Sequence, residues 1–522
     1  IRDRNYRAVR VKIYMRGKGM KLTKTLCLSL ALVLTGTCFA ACGGRSDGGQ
    51  TFTYEQIMAK FNGEIEQNAT IRVLDNQMAI ETGHLKEVLA AFNEEYKEYN
   101  VNAVDANMDQ YVDLEQNGPD GYGPDVLYQA NDMLMRYAEG GHVLPLPTEK
   151  LDIEQIPGNV MDAYKLKTYN LDLYYGMPVA QQSTVLTYRK DLLPVDWETK
   201  WDDNENDIPD MVENMNDLYA YSKQVKEESD GSKYGLYMSL VDQYFNSGYL
   251  LSFGAYVFGE THDDIGLNTA GSEVGLNLFR DLAGVLGSRC ISQDATTQVA
   301  TYLTSKDGTV FCTIGTPDWL TTFQENLTAT YKAQGDSAEV AAQKAKENLV
   351  VVAPPRLPKD GNIKKEIKNM DTETFEPTTM GGVNAFGISS YTKYPKACLA
   401  FVKFVSSYEN EKWRSEALGA VPARTDLAEE IGGVSEILGN RVTSGKVYMM
   451  PSTRDTQYIW SPLSSMFNDV ATDNTTRKNP IYTTTDALKK ALDKLVKDIK
   501  SASYVTFCLL YTSPSPRDRQ KS

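Results

Sequence analysis

The chain has 522 residues, and 54 Lys and Arg against 69 Asp and Glu give a net charge of −15. So acidic a surface repels nucleic acid and anionic lipid, which excludes both as expected partners. Seven cysteines scattered over this length make no disulfide framework.

In chain order, Met20 opens the first recognisable segment, and Arg16-Gly17-Lys18-Gly19 before it reads as a translated purine-rich ribosome-binding site. Residues 1–19 are therefore expected to lie upstream of the gene. Lys21 and Lys24 precede an apolar run, Leu26 to Leu34, which is far short of the ~20 residues that span a bilayer. This pattern makes 20–41 a signal peptide. Phe39-Ala40-Ala41-Cys42 resembles the bacterial lipobox, with Phe39 in place of the usual aliphatic residue, and marks Cys42 as the lipidated residue. The alternative is an ordinary secretory signal cut near Ala41, with Cys42 left free. Residues 42–67 are expected to form a tether, flexible through the Gly- and Ser-rich part that ends at Gln50. At the other end, "CLLYTSPSPRD" (Cys508 to Asp518) back-translates to what looks like a transposase sequencing adapter, so 508–522 are expected to be foreign. The two excluded ends carry net charges of +8 and +2, which leaves −25 on residues 42–507. Cys290, Cys312 and Cys398 remain in that span; at most one pair can form, and burial as small apolar residues is the expectation.

The body alternates strands and helices. Thr70 to Leu74 is β-rich, and Leu85, Val88, Leu89, Phe92 and Tyr96 follow at helical spacing. Strands are expected at Asn100 to Val104 and from Pro124 to Tyr128. Later, Pro395 opens a helix carrying Phe401 and Phe404, and Asp486 opens one carrying Leu488, Leu492, Leu495 and Ile499. Such alternation implies βαβ units and parallel sheets.

Six segments then follow in order: "GPDVLYQANDMLMRYAEGGHVLPL" (from Gly123), "YYGMPVAQQSTVLTYRKDLLP" (from Tyr174), "GLNTAGSEVGLNLFRDL" (from Gly266), "DGTVFCTIGTPDWL" (from Asp307), "MGGVNAFGIS" (from Met380) and "YPKACLAFVKFVSSYENEKW" (from Tyr394), with "GAVPAR" after the last. Their order, over roughly Thr70 to Ile499, resembles the extracellular solute-binding proteins of ABC transporters, in the maltodextrin-binding-like branch. The resemblance implies a bilobal α/β fold with two lobes joined by three crossings, near 178–183, 383–388 and 418–422. It puts the N-lobe at 68–181 and 384–420 and the C-lobe at 182–383 and 421–507. It implies a carbohydrate ligand, a permease with two transmembrane subunits as partner, attachment to the outer face of the membrane through lipid alone, a monomer, and no enzymatic activity.

A pyranose offers an apolar C–H face and a rim of hydroxyls, so its site needs aromatic platforms and planar amides or carboxylates. By position in the family, Trp319 is one platform and Trp460 the second, with Tyr458 beside it, while Gln182 and Asp132 are hydroxyl partners. Gln129 and Met133 stand where maltodextrin binders carry Trp and Arg. Met78 replaces an expected acid, with Asp75, Asn76 and Gln77 beside it. These departures move the expected ligand away from linear maltodextrin toward another oligosaccharide or a non-sugar solute.

One motif stands apart. "WDDNENDIPDMVE" places Asp202, Asn204, Asn206, the Ile208 carbonyl, Asp210 and Glu213 in the order of an EF-hand calcium loop, but with Asp207 where glycine makes the turn. A structural calcium ion and an acidic solvated loop are the two readings; no other cofactor is expected. The rival function is a secreted hydrolase using paired carboxylates, although no HExxH or phosphate-cradling loop is present. A third reading, a scaffolding lipoprotein, would need no small ligand.

Overall fold

The computed structural model describes residues 46–47, 50–51, 53–109, 114–259, 261, 263–292 and 294–512, with side chains from 53 to 503. The signal peptide and Cys42 lie outside the described residues, as do the side chains of the adapter-like tail. The described residues form one compact unit, in which two hydrophobic cores mark two lobes.

The N-lobe is built on a mixed sheet. Its strands run in the order Val421–Pro422, Met177–Ser183, Thr379–Ser389, Val126–Ala130, Thr70–Leu74, Asn102–Asp105. Thr70–Leu74 pairs in parallel with both neighbours, as the alternating pattern requires, while Thr379–Ser389 runs antiparallel to Val126–Ala130 and Met177–Ser183. Helices His84–Glu95 and Pro395–Val405 cover this sheet, the second started by its proline. Their rings meet edge-on, Phe92 with Phe401 at 5.0 Å and with Phe404 at 5.5 Å. The C-lobe has a four-stranded sheet, Tyr234–Leu236, Val310–Gly315, Val185–Arg189, Leu349–Val352. Helices such as Ser272–Leu286 and Trp460–Thr475 join on it through Phe279 and Phe467, 4.8 Å apart.

Two boundaries differ from the sequence expectation. Residues 53–67 are not tether. Thr53 and Gln56 form a capping box on helix Tyr54–Met58, Ile57 and Phe61 enter the N-lobe core, and the Glu66 carboxylate accepts from the first N–H groups of helix Pro395–Val405. The third crossing is not at 418–422 either. Val421–Pro422 is an edge strand on Met177–Ser183, and the chain stays in the N-lobe through Leu438 and Val442. It leaves beside Val447–Met449, which pairs in parallel with the start of Thr379–Ser389; Val447 belongs to one core and Met450 to the other. A Cβ on Gly381 would lie 2.1 Å from Val447 Cγ1, so that glycine admits the third crossing against the second.

The first crossing lies between Ser183 and Val185, where one strand ends in the N-lobe sheet and the next begins in the C-lobe sheet. Cys290, Cys312 and Cys398 are buried free thiols, and burial pushes the Cys290 thiol up to about 12.

Candidate functional site

The fully buried Asn131, first residue of helix Asn131–Glu139, stitches two crossings together. Its amide donates to the Met450 carbonyl (2.7 Å) and to Ser452 Oγ (2.8 Å), and its Oδ1 accepts from Val383 N (3.3 Å). Beside this stitch opens a cleft of about 790 Å³ between the lobes. At one rim Gly419 of the N-lobe approaches Thr321 of the C-lobe so closely that a Cβ would lie 2.7 Å from its Oγ1.

The cleft wall includes Asn76, Gln129, Asp132, Gln182 and Trp460. The carboxyl ends of Thr70–Leu74 and Val126–Ala130 deliver the first three, where ligands of open α/β sheets bind. Asn76 caps helix Gln77–Glu81 by accepting from Ala79 N at 2.8 Å. Asp132 accepts from Met133 N at 2.8 Å, and burial pushes its carboxyl above the usual aspartate range. Gln182 donates to Asp318 at 3.1 Å, and its backbone carbonyl accepts from Tyr244 OH at 3.3 Å; both bonds cross from the first crossing strand to the C-lobe.

Three of the expected ligand residues lie off this wall. Asp75 is buried and held by both guanidinium nitrogens of Arg414, each at 2.8 Å. Arg414 in turn stacks on Tyr128, 4.3 Å from its ring centroid. Asp75 therefore braces the Tyr128 side of the wall from behind. Trp319 lies on Gly315, with a virtual Cβ there only 2.4 Å from the indole, and meets Phe245 and Phe323 edge-on at 5.4 and 6.1 Å. The ring is partly buried against the C-lobe core, and its neighbours Pro317 and Asp318 face the cleft instead. Tyr458 ends a short 3-10 turn whose preceding residue, Gln457, lines the wall.

Sequence reasoning missed Tyr128, Tyr244, Glu81 and Asn384, which all line the cleft. Asn384 had a readable signal: it is the one strongly polar residue in the middle of the apolar, glycine-rich strand Thr379–Ser389. Tyr244 had none, since its place depends on Asp242 capping helix Gln243–Leu251.

The loop Asp202 to Glu213 does not line the cleft. Asp202 accepts from Asn206 N and Asp207 N, and the amides of Asn204 and Asn206 each donate to one Glu213 oxygen at 2.9 Å. Asp207 takes the left-handed φ of +62° that glycine would favour. Asp210 accepts from Asp203 N, and its carboxyl is pushed up to about 6 by burial and by Asp217, Asp203 and Glu213. The oxygen donors thus follow the order a hard cation wants, with the amides turned onto Glu213. Among the described residues, no three His, Cys, Asp or Glu side chains stand where they would hold a metal together.

Relatives agree with this architecture. The galactooligosaccharide-binding protein of Bacillus subtilis (strain 168) is 25% identical over 74% of this chain and 82% of its own length. The maltodextrin-binding protein MdxE of the same organism is 22% identical over 85% of this chain and 88% of its own. A crystal structure of a cyclo/maltodextrin-binding protein complexed with maltotetraose has the same fold, with a TM-score of 0.60 and 21% identity over 84% of this chain and 98% of that one. The sequence profile of the bacterial extracellular solute-binding proteins matches residues 87–437, and the chain belongs to that family.

Proposed function

We propose that the chain captures an oligosaccharide in the cleft between its lobes and hands it to the membrane subunits of an ABC importer. The observation that carries this reading is the cleft wall itself: Trp460, Tyr128 and Tyr244 line it among amides and carboxylates, the pairing a sugar's two kinds of surface needs. The ligands named for the relatives, galactooligosaccharide and maltodextrin, support a carbohydrate over other solutes. Capture works by hinge closure, in which the ligand favours the shut form by a few kcal/mol. A lipid on Cys42 holds the protein, as a monomer, on the outer face of the membrane. The cleft binds its sugar and releases it without chemical change.

A thermal-shift screen against neutral oligosaccharides tests this, because a ligand at 100 times its Kd adds about 2.7 kcal/mol to stability. One sugar class is expected to raise Tm and to be recovered intact after long incubation. No shift with any oligosaccharide would overturn the reading, and so would recovery of shortened sugar.

A further inference from the structure

We infer that this cleft admits uncharged oligosaccharides and rejects acidic ones, with Asp132 as the residue that sets the distinction. The inference rests on the carbohydrate reading above and narrows it to a charge class.

The wall carries three carboxylates, Glu81, Asp132 and Asp318, and among its described residues no Lys, Arg or His. Arg414 lies behind Tyr128, with both terminal guanidinium nitrogens bonded to Asp75. A uronate, sulfate or phosphate on the guest would therefore meet negative charge with no cation to answer it, and like charges in a partly desolvated site reject a ligand strongly. The acidic surface of the whole chain, −15 in formal charge, acts in the same direction at longer range.

The three carboxylates are not equivalent. Glu81 accepts from the Gln77 amide at 2.7 Å and Asp318 from the Gln182 amide at 3.1 Å. Asp132 draws only on backbone N–H, from Met133 at 2.8 Å, at the start of helix Asn131–Glu139. A carboxylate held this way still has acceptor sites to offer, and a sugar hydroxyl is the donor that fits them. Burial raises its proton affinity, which adds to its demand for a donor. The side-chain amides around it, Gln129, Gln182 and Asn384 among them, bond neutral hydroxyls equally well and add no charge.

The test is calorimetric titration of the full chain with maltotriose, galactotriose and trigalacturonate. At least one neutral trimer is expected to bind, and trigalacturonate to bind at least 100-fold more weakly than the better neutral one. Asp132→Asn should weaken the neutral trimer about tenfold while narrowing the neutral-to-acidic ratio. Asp318→Asn, as a second variant, should narrow the ratio less, and a melting temperature equal to the parent's assigns either change to the site. Trigalacturonate binding within tenfold of the better neutral trimer would overturn the charge inference and leave the carbohydrate reading standing. Absence of binding by all three, together with a silent thermal-shift screen, would overturn the carbohydrate reading itself.

Discussion

The two lobes contribute unlike materials to one cleft. The N-lobe wall carries groups already bonded into the fold, such as Asn76 on its helix cap, Gln181 on the Pro422 carbonyl and Tyr128 braced by Arg414 and Asp75. The C-lobe wall has fewer and larger groups, Tyr244, Trp460 and Asp318. Pre-bonded donors and acceptors need no rearrangement to meet a guest, so the N-lobe side sets orientation and the C-lobe side supplies area. Substitutions behind the N-lobe wall should therefore disturb folding, and substitutions on the C-lobe wall should disturb binding.

The hardest blow to this contrast is Arg414→Ala. It strands the buried Asp75 carboxylate, for which about 3–5 kcal/mol of destabilisation is expected; denaturant unfolding measures it, and a loss below about 1 kcal/mol would remove the brace. Next come the two indoles, read side by side. Trp319→Ala is expected to cost about 3 kcal/mol of stability through the cavity it leaves against Phe245 and Phe323, with little change in Kd. Trp460→Ala should raise Kd for the best oligosaccharide about tenfold, or about 1.4 kcal/mol, with little change in Tm. Reversed outcomes would restore Trp319 to the ligand.

Acid separates the lobes by sign. In the N-lobe, burial and the Arg414 charge push the His84 imidazole down to about 4. Its neutral form suits the fold, so the stability it contributes is full above pH 6.5 and is lost as pH falls from there through 4. In the C-lobe, Asp210 is raised to about 6, so the folded state holds the extra proton and gains stability as pH falls from 6 toward 3.8. His84→Phe should flatten the acid loss and Asp210→Asn should stabilise at pH 7, each by about 1 kcal/mol after solvent screening; melting curves from pH 4 to 8 read both. The smallest effect concerns the Asp202 to Glu213 loop. Calcium added to the metal-stripped chain separates the loop's two readings: a rise in Tm that Glu213→Gln cancels would assign a bound ion. An unchanged Tm would leave the loop held by its own hydrogen bonds.

Much of this architecture was legible because it is local. Thr70–Leu74 and the helix opened by Pro395 stand where period and proline placed them. The third crossing was not legible, since Val447–Met449 has only three residues and no period to read, whereas "GAVPAR" looked like a hinge and is a sheet edge. Asp75 and Asn76 differ by one position, yet one faces Arg414, 339 residues away, and the other the cleft. Pairings at that separation leave no trace in a single sequence. The family pattern assigned Trp319 a sugar-facing role, but that pattern carries no information about Phe245, which occupies its edge.

Asn131 ties Val383 to the segment Met450 to Ser452 through one carboxamide. A carboxamide neither takes up nor releases a proton while a protein stays folded, and it carries no net charge for salt to shield. The pivot should thus keep one shape from sour to alkaline media and from fresh water to brine, even where the walls it swings do not.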